Sequence, residues 1–264
     1  MQGWLIFKHA VVMLWGNKAV AFRLGFVPLI IATISITAFV VLFSDLGLMQ
    51  ETLFGRSSSA TQPQILPDQL GEFYTGILGF LLLSMIFTIW VIVAWHRFIL
   101  LEEDPTGFVT PFNGDRILAY LGQILKLFLV GFLISLPFGA VFGLVLAVSP
   151  STLIAGLFVL SAVFFAWLVL VFYRLSITLP ASAIGRPISL REAWRATEGT
   201  WWVLFVLVLL AGLTQMLIQF VVSLLLVVPL LGFAVNLLIS FAIGMLNASI
   251  LTTLYGHYIE GRDL

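Results

Sequence analysis

The residues able to do chemistry in this 264-residue chain are few and lie at the ends of its apolar runs. Glu102, Glu103 and Asp104 adjoin prolines and a glycine, and a carboxylate group of this kind can bind a hard cation. The alternating spacing of a calcium loop is absent, so the cluster reads as a solvated loop. Three histidines, His9, His96 and His257, flank apolar runs and could converge as zinc ligands if the chain packs about a common axis. Nothing in their spacing brings them together, and the expectation is that each sits near headgroups at a membrane boundary. There is no Ser-His-Asp order, no glycine-rich phosphate loop and no paired-carboxylate context. Cysteine is absent. The sequence therefore predicts no catalytic residue, no cofactor and no metal, and an enzyme is disfavoured.

What remains is polar and small-residue chemistry inside apolar helices. Gln215 and Gln219, four apart on one helix face, can pack against Asn236 and Asn247 or line a polar cavity, and packing is preferred. Gly139-x-x-x-Gly143 and Gly244-x-x-x-Ala248 allow backbones to approach closely, within the fold by default or against a partner's helix. No Asp, Glu, Lys, Arg or His falls in the central part of a span, which argues against a proton-coupled pump.

The elements that must position these residues follow from composition. The chain is 61% hydrophobic and 9% charged with a mean hydropathy of +1.16, against about 25% charged in soluble domains. This is the composition of an all-α, polytopic membrane protein. Net charge is zero, which suggests no nucleic-acid partner. A single membrane domain, 1–264, is expected, with six spans: Leu24 to Phe43, Phe73 to Trp95, Leu127 to Val148, Leu153 to Tyr173, Trp201 to Val228 and Leu231 to Leu254. Short connections at Ser149-Pro150-Ser151-Thr152 and Pro229-Leu230 make helical hairpins. Asp45 to Glu72 reads as the substantial loop on the far side. Met1 to Arg23 reads as an interfacial amphipathic helix, with Trp4, Leu5, Val11, Val12 and Trp15 opposite Lys8 and Lys18.

Orientation comes from basic residues. Eleven of the twelve Lys and Arg fall on one side of this arrangement and only Arg56 on the other, so both termini are expected in the cytoplasm. Tyr173 to Trp202 is the longest basic segment. In it, Pro180 and Gly185-Arg186-Pro187 should break the helix, and Ser189 with Glu192 forms a capping box that starts a short helix at Leu190. Arg191, Arg195, Trp194, Trp201 and Trp202 are its candidate lipid-headgroup contacts. The aromatic and basic exits after alternate spans also hint at a threefold internal repeat.

The stretch GRPISLREAWRATEGTWW, Gly185 to Trp202, resembles a segment of poorly characterised bacterial six-span proteins. These are the YciC-like inner-membrane proteins and the membrane domain attached to some glycerophosphoryl diester phosphodiesterases. The resemblance rests on the proline before the helix, the Ala-Trp pair and Thr-x-Gly followed by aromatics, and it covers roughly thirty residues. It implies a bacterial inner-membrane location and an architecture, and no reaction, because the phosphodiesterase chemistry belongs to a soluble domain. The function expected is a non-catalytic membrane protein that binds or scaffolds other membrane components, either lipids or a membrane-protein partner, including a second copy. Lipid handling or small-molecule transport is the alternative, and an interfacial enzyme the third.

Overall fold

The computed structural model describes residues 2–42, 67–104, 107, 111–148, 154–225 and 229–264. Among them run nine helices: α1 (Gln2–Gly16), α2 (Lys18–Leu42), α3 (Pro67–Leu101), α4 (Gly114–Val148), α5 (Ile154–Leu175), α6 (Thr178–Ala183), α7 (Leu190–Ala196), α8 (Trp201–Leu225) and α9 (Pro229–Tyr258). Six of them, α2, α3, α4, α5, α8 and α9, are long and apolar enough to cross a membrane. The turn expected at Ser149 to Thr152, most of the far-side loop and its Arg56 lie outside the described residues.

Helix limits differ from the sequence reading at charged positions. α3 starts at Pro67, inside the expected loop, and continues past His96-Arg97 to Leu101. The expected interfacial approach from Asp115 to Lys126 and the span after it are one continuous helix, α4. Pro137 lies inside α4 without ending it. Pro180 sits in the first turn of α6, where a missing N–H costs no intrahelical bond. The break instead falls at Ser176-Ile177, and Gly185, at φ +78°, closes α6.

The core occupies one end of the bundle. Apart from Leu157 and Val222, the buried apolar residues of the long helices fall at the start of α2 (Ala21, Leu24), the end of α3 (Ile89 to Leu100), the start of α4 (Ile117 to Leu127), the end of α5 (Leu168 to Leu175), the first half of α8 (Leu204 to Ala211) and the last half of α9 (Met245 to Tyr255). These stretches share five apolar clusters, so those ends lie together. Both termini are at this end, where the Gln2 amide hydrogen-bonds the His257 ring at 3.2 Å. Towards the opposite end the helix faces are mostly exposed, α4 above all. Lipid tails are as apolar as leucine, so helices in hydrocarbon hold together by close packing and polar ties, and this fold concentrates both at the termini.

The segment from Leu175 to Ala193 contributes to four of the five clusters. α6 is buried among α3, α4 and α9, filling the centre of the closed end. α1 docks its Gly3, Ile6, Phe7 and Ala10 face against α8 and α9. Its other apolar stripe, Trp4, Leu5, Val11, Val12 and Trp15, stays exposed. The close approach depends on Gly3, where a Cβ would meet the Val203 carbonyl oxygen at 2.5 Å.

Candidate functional site

Three polar ties build the closed end. The first centres on Arg174 in the last turn of α5. Its side chain is 2% exposed and makes no ion pair among the described residues. Instead the guanidinium lies over the Trp194 ring at 3.6 Å and the Trp201 ring at 4.7 Å, with the two indoles edge to face. Its Nη2 donates to the Trp194 carbonyl at 2.6 Å and its Nε to Thr197 Oγ1 at 3.0 Å. Arginine suits this position because its planar fork stacks on aromatic faces while donating in plane.

The tie fixes α7, whose start is set locally. Ser189 Oγ accepts from the Glu192 N–H at 3.2 Å, and Glu192 Oε2 accepts from the Ser189 N–H at 2.6 Å, the expected capping box. The backbone hydrogen bond from Ser189 holds the exposed Glu192 carboxyl below its ordinary range. Ala193 and Thr197 are buried against the bundle, on the face that the Arg174 tie draws inward. Arg191, Arg195 and Trp202 are exposed, Trp202 at 71% and stacked on Phe205. Trp194, exposed, and Trp201, half-buried, serve as the walls of the arginine cage.

The second tie is His96, which is fully buried and does not reach a headgroup boundary. Its Nδ1 lies 2.7 Å from Thr252 Oγ1, whose own hydrogen goes to the Ala248 carbonyl at 2.8 Å. The threonine oxygen is therefore the acceptor and Nδ1 carries the hydrogen. Among the described residues Nε2 then faces no hydrogen-bond partner, and neither does Trp95 Nε1. The ring stacks on Tyr120 at 5.9 Å, joining α3, α4 and α9. His9 and His257 line a cavity of about 260 Å³ that Thr252 also borders, so two histidines do converge, with His96 behind the threonine. Among the described residues no group of three or more His, Cys, Asp or Glu has metal-binding geometry.

The third tie is the carboxy-terminal tail. Arg262 donates to the Leu100 carbonyl at 3.1 Å and the Ile99 carbonyl at 3.5 Å, placing a cation on the unsatisfied end of α3. His257 Nδ1 donates to the Arg262 carbonyl at 3.0 Å, which leaves Nε2 to accept from Gln2. Nearby, Glu103 accepts from Arg97 through both oxygens, at 2.8 and 2.5 Å, and Arg97 also donates to the Ala183 carbonyl at 3.2 Å. One member of the acidic cluster is thus engaged in a structural fork, while Glu102 and Asp104 are exposed.

The membrane-facing candidates separate. Ala248 is buried in the cluster formed with α2 and α3, while Gly244 borders a lateral groove of about 320 Å³ between α2, α3 and α9. Gly139 and Gly143 are exposed, and a Cβ on either would meet nothing within 4 Å. Neighbouring Phe138, not the glycines, makes the contact with α5, stacking on Phe164 at 4.0 Å. The Gln215 amide donates to Asn247 Oδ1 at 3.4 Å between α8 and α9, whereas Gln219 is exposed.

Comparison with protein-family models, curated proteins and solved structures returns no match for this chain.

Proposed function

We propose that this is a non-catalytic multi-pass protein of a bacterial inner membrane, its spans arranged as three hairpins with both termini in the cytoplasm, that binds or scaffolds other membrane components. The orientation rests on the eleven basic residues on one side and the bacterial location on the resemblance of Gly185 to Trp202. The observation that carries the binding role is the uncovered outer part of α4. Gly139 and Gly143 leave a strip of backbone open there, between Leu136, Val141 and Leu144, all exposed. Helices associate in lipid by such close backbone approach, and no described residue of the chain fills this strip.

The test is extraction of the tagged full chain from native membranes in a bilayer-preserving polymer, with mass spectrometry of what stays bound. A stoichiometric partner that is lost in a Gly139→Leu, Gly143→Leu variant of unchanged stability supports the reading. A partner-free species in both, carrying only bulk lipid, counts against it.

The second reading, lipid handling, is favoured by the lateral groove between α2, α3 and α9, whose walls are almost wholly carbon.

A further inference from the structure

We infer that α8 is the interface through which two copies of this chain pair side by side in the membrane, with Gln219 bonded to its own counterpart. The pairing uses a different face from the α4 strip and goes beyond it. Gln219 lies in the apolar span Trp201–Leu224, is exposed, and hydrogen-bonds to none of the described residues. Polar groups near it are already engaged. The Gln215 amide donates to Asn247 Oδ1 at 3.4 Å, and the Ser223 hydroxyl donates to the Phe220 carbonyl at 2.7 Å. Leu217, Phe220 and Val221 beside it are exposed carbon surface. A carboxamide has donors and an acceptor that lipid chains cannot meet, and leaving them unpaired in hydrocarbon is costly. No described residue supplies the partner, and a second molecule can.

The pattern around the glutamine identifies a helix as what that molecule presents. Phe205, Leu209, Gly212, Met216, Gln219 and Ser223 follow one another alternately four and three residues apart and form one stripe down α8. All are exposed except the half-buried Gly212. This alternation keeps a seam facing a neighbouring helix that crosses at about 20°. A Cβ at Gly212 would meet nothing within 4 Å, so a facing helix can come close to the backbone there.

Symmetry makes that helix a second α8. Copies of one chain insert with one orientation, so their α8 helices run parallel. A two-fold axis along the membrane normal then sets each seam residue against itself at equal depth. Because a carboxamide carries donor and acceptor on one group, two Gln219 side chains close a reciprocal pair, Nε2 of each donating to Oε1 of the other. A single polar residue at a core position of a parallel helix pair fixes register in this way. A helix of another protein would need a matched polar group at the same depth, which the second copy has by construction.

The chain has no cysteine, so one introduced cysteine reports without background. Full-length Met216→Cys and Leu217→Cys, both at exposed positions of nearly equal depth, are oxidised in native membranes with copper phenanthroline. The expected result is a disulfide-linked homodimer from Met216→Cys, on the seam, and none from Leu217→Cys, off it. Energy transfer between donor- and acceptor-tagged full chains, diluted in phosphatidylethanolamine and phosphatidylglycerol vesicles, gives the dimer dissociation constant. Gln219→Leu should raise it roughly threefold to twentyfold, the span expected of a hydrogen bond between helices in lipid, and Gln219→Asn should recover part of the loss. Gly212→Leu fills the seam and should raise it as well. No crosslink, equal crosslinking of both cysteines, or crosslinking of Met216→Cys to a different protein overturns the inference, as does a dissociation constant unchanged in folded Gln219→Leu and Gly212→Leu. Loss of a different partner in the α4 variant bears on the scaffold reading alone, and the α8 crosslinks and dissociation constants bear on this pairing alone.

Discussion

Replacing Arg174 by alanine tests whether the caged guanidinium holds α7 on the bundle. The substitution removes two charge-assisted hydrogen bonds, to the Trp194 carbonyl and Thr197 Oγ1, and two ring contacts. Each such hydrogen bond contributes about 1.5–3 kcal/mol and the ring contacts about 0.5–2 kcal/mol, while the loss is offset by no longer keeping a cation from water. A net cost of about 3 kcal/mol follows, roughly a hundredfold in the opening equilibrium of the segment from Ser189 to Thr200. Amide hydrogen exchange in lipid nanodiscs reads this directly. Protection at Ala193 to Thr197 should fall by about that factor while α3 and α9 stay protected. Arg174→Lys keeps the charge but not the fork and should recover little of it. Unchanged protection in Arg174→Ala would refute the tie, and equal loss across the whole molecule would show a global role instead.

Other substitutions give separate outcomes. Gly3→Ala forces α1 away from the Val203 carbonyl and should cost about 1–3 kcal/mol, seen as a lower unfolding temperature in detergent, whereas Gly16→Ala, with open space around it, should not. Gly139→Leu with Gly143→Leu should leave that temperature unchanged or higher, because no described residue occupies the space. Thr252→Val leaves the buried His96 Nδ1–H without an acceptor and should cost about 1–3 kcal/mol in the same assay. The Glu192 carboxyl is held below its ordinary range, so its contribution to α7 is complete above the usual carboxylate pKa and is lost as pH falls through the lower folded value. Exchange at α7 should therefore be constant near neutrality and rise only on strong acidification, after correction for intrinsic rates, and Glu192→Gln should abolish that response.

Local signals in the sequence carried furthest where the interaction is local. The Ser189–Glu192 capping box spans three residues and appears in the structure with both hydrogen bonds. Long apolar runs likewise announced six helices able to cross a membrane. Charge misled at helix ends. His96 and Arg97 looked like an exit, yet Thr252 holds His96 Nδ1 inside the fold while Glu103 and the Ala183 carbonyl engage Arg97, and α3 continues. Trp194 and Trp201 had the appearance of an interfacial belt, and their service to Arg174 depends on a contact across twenty residues that spacing does not disclose. Gly3 gave no signal at all, since its importance lies in a carbonyl two hundred residues away. The two small-residue motifs were alike in sequence and differ in structure, because only tertiary packing decides whether a neighbouring helix arrives.

The most direct test of the central claim is the inventory of molecules that remain with the full chain when it is lifted from native membranes in a bilayer-preserving polymer. A stoichiometric protein partner, or a lipid enriched over the surrounding membrane, is the predicted result. A chain that carries neither, with lipid composition equal to that of the bulk membrane, would contradict it.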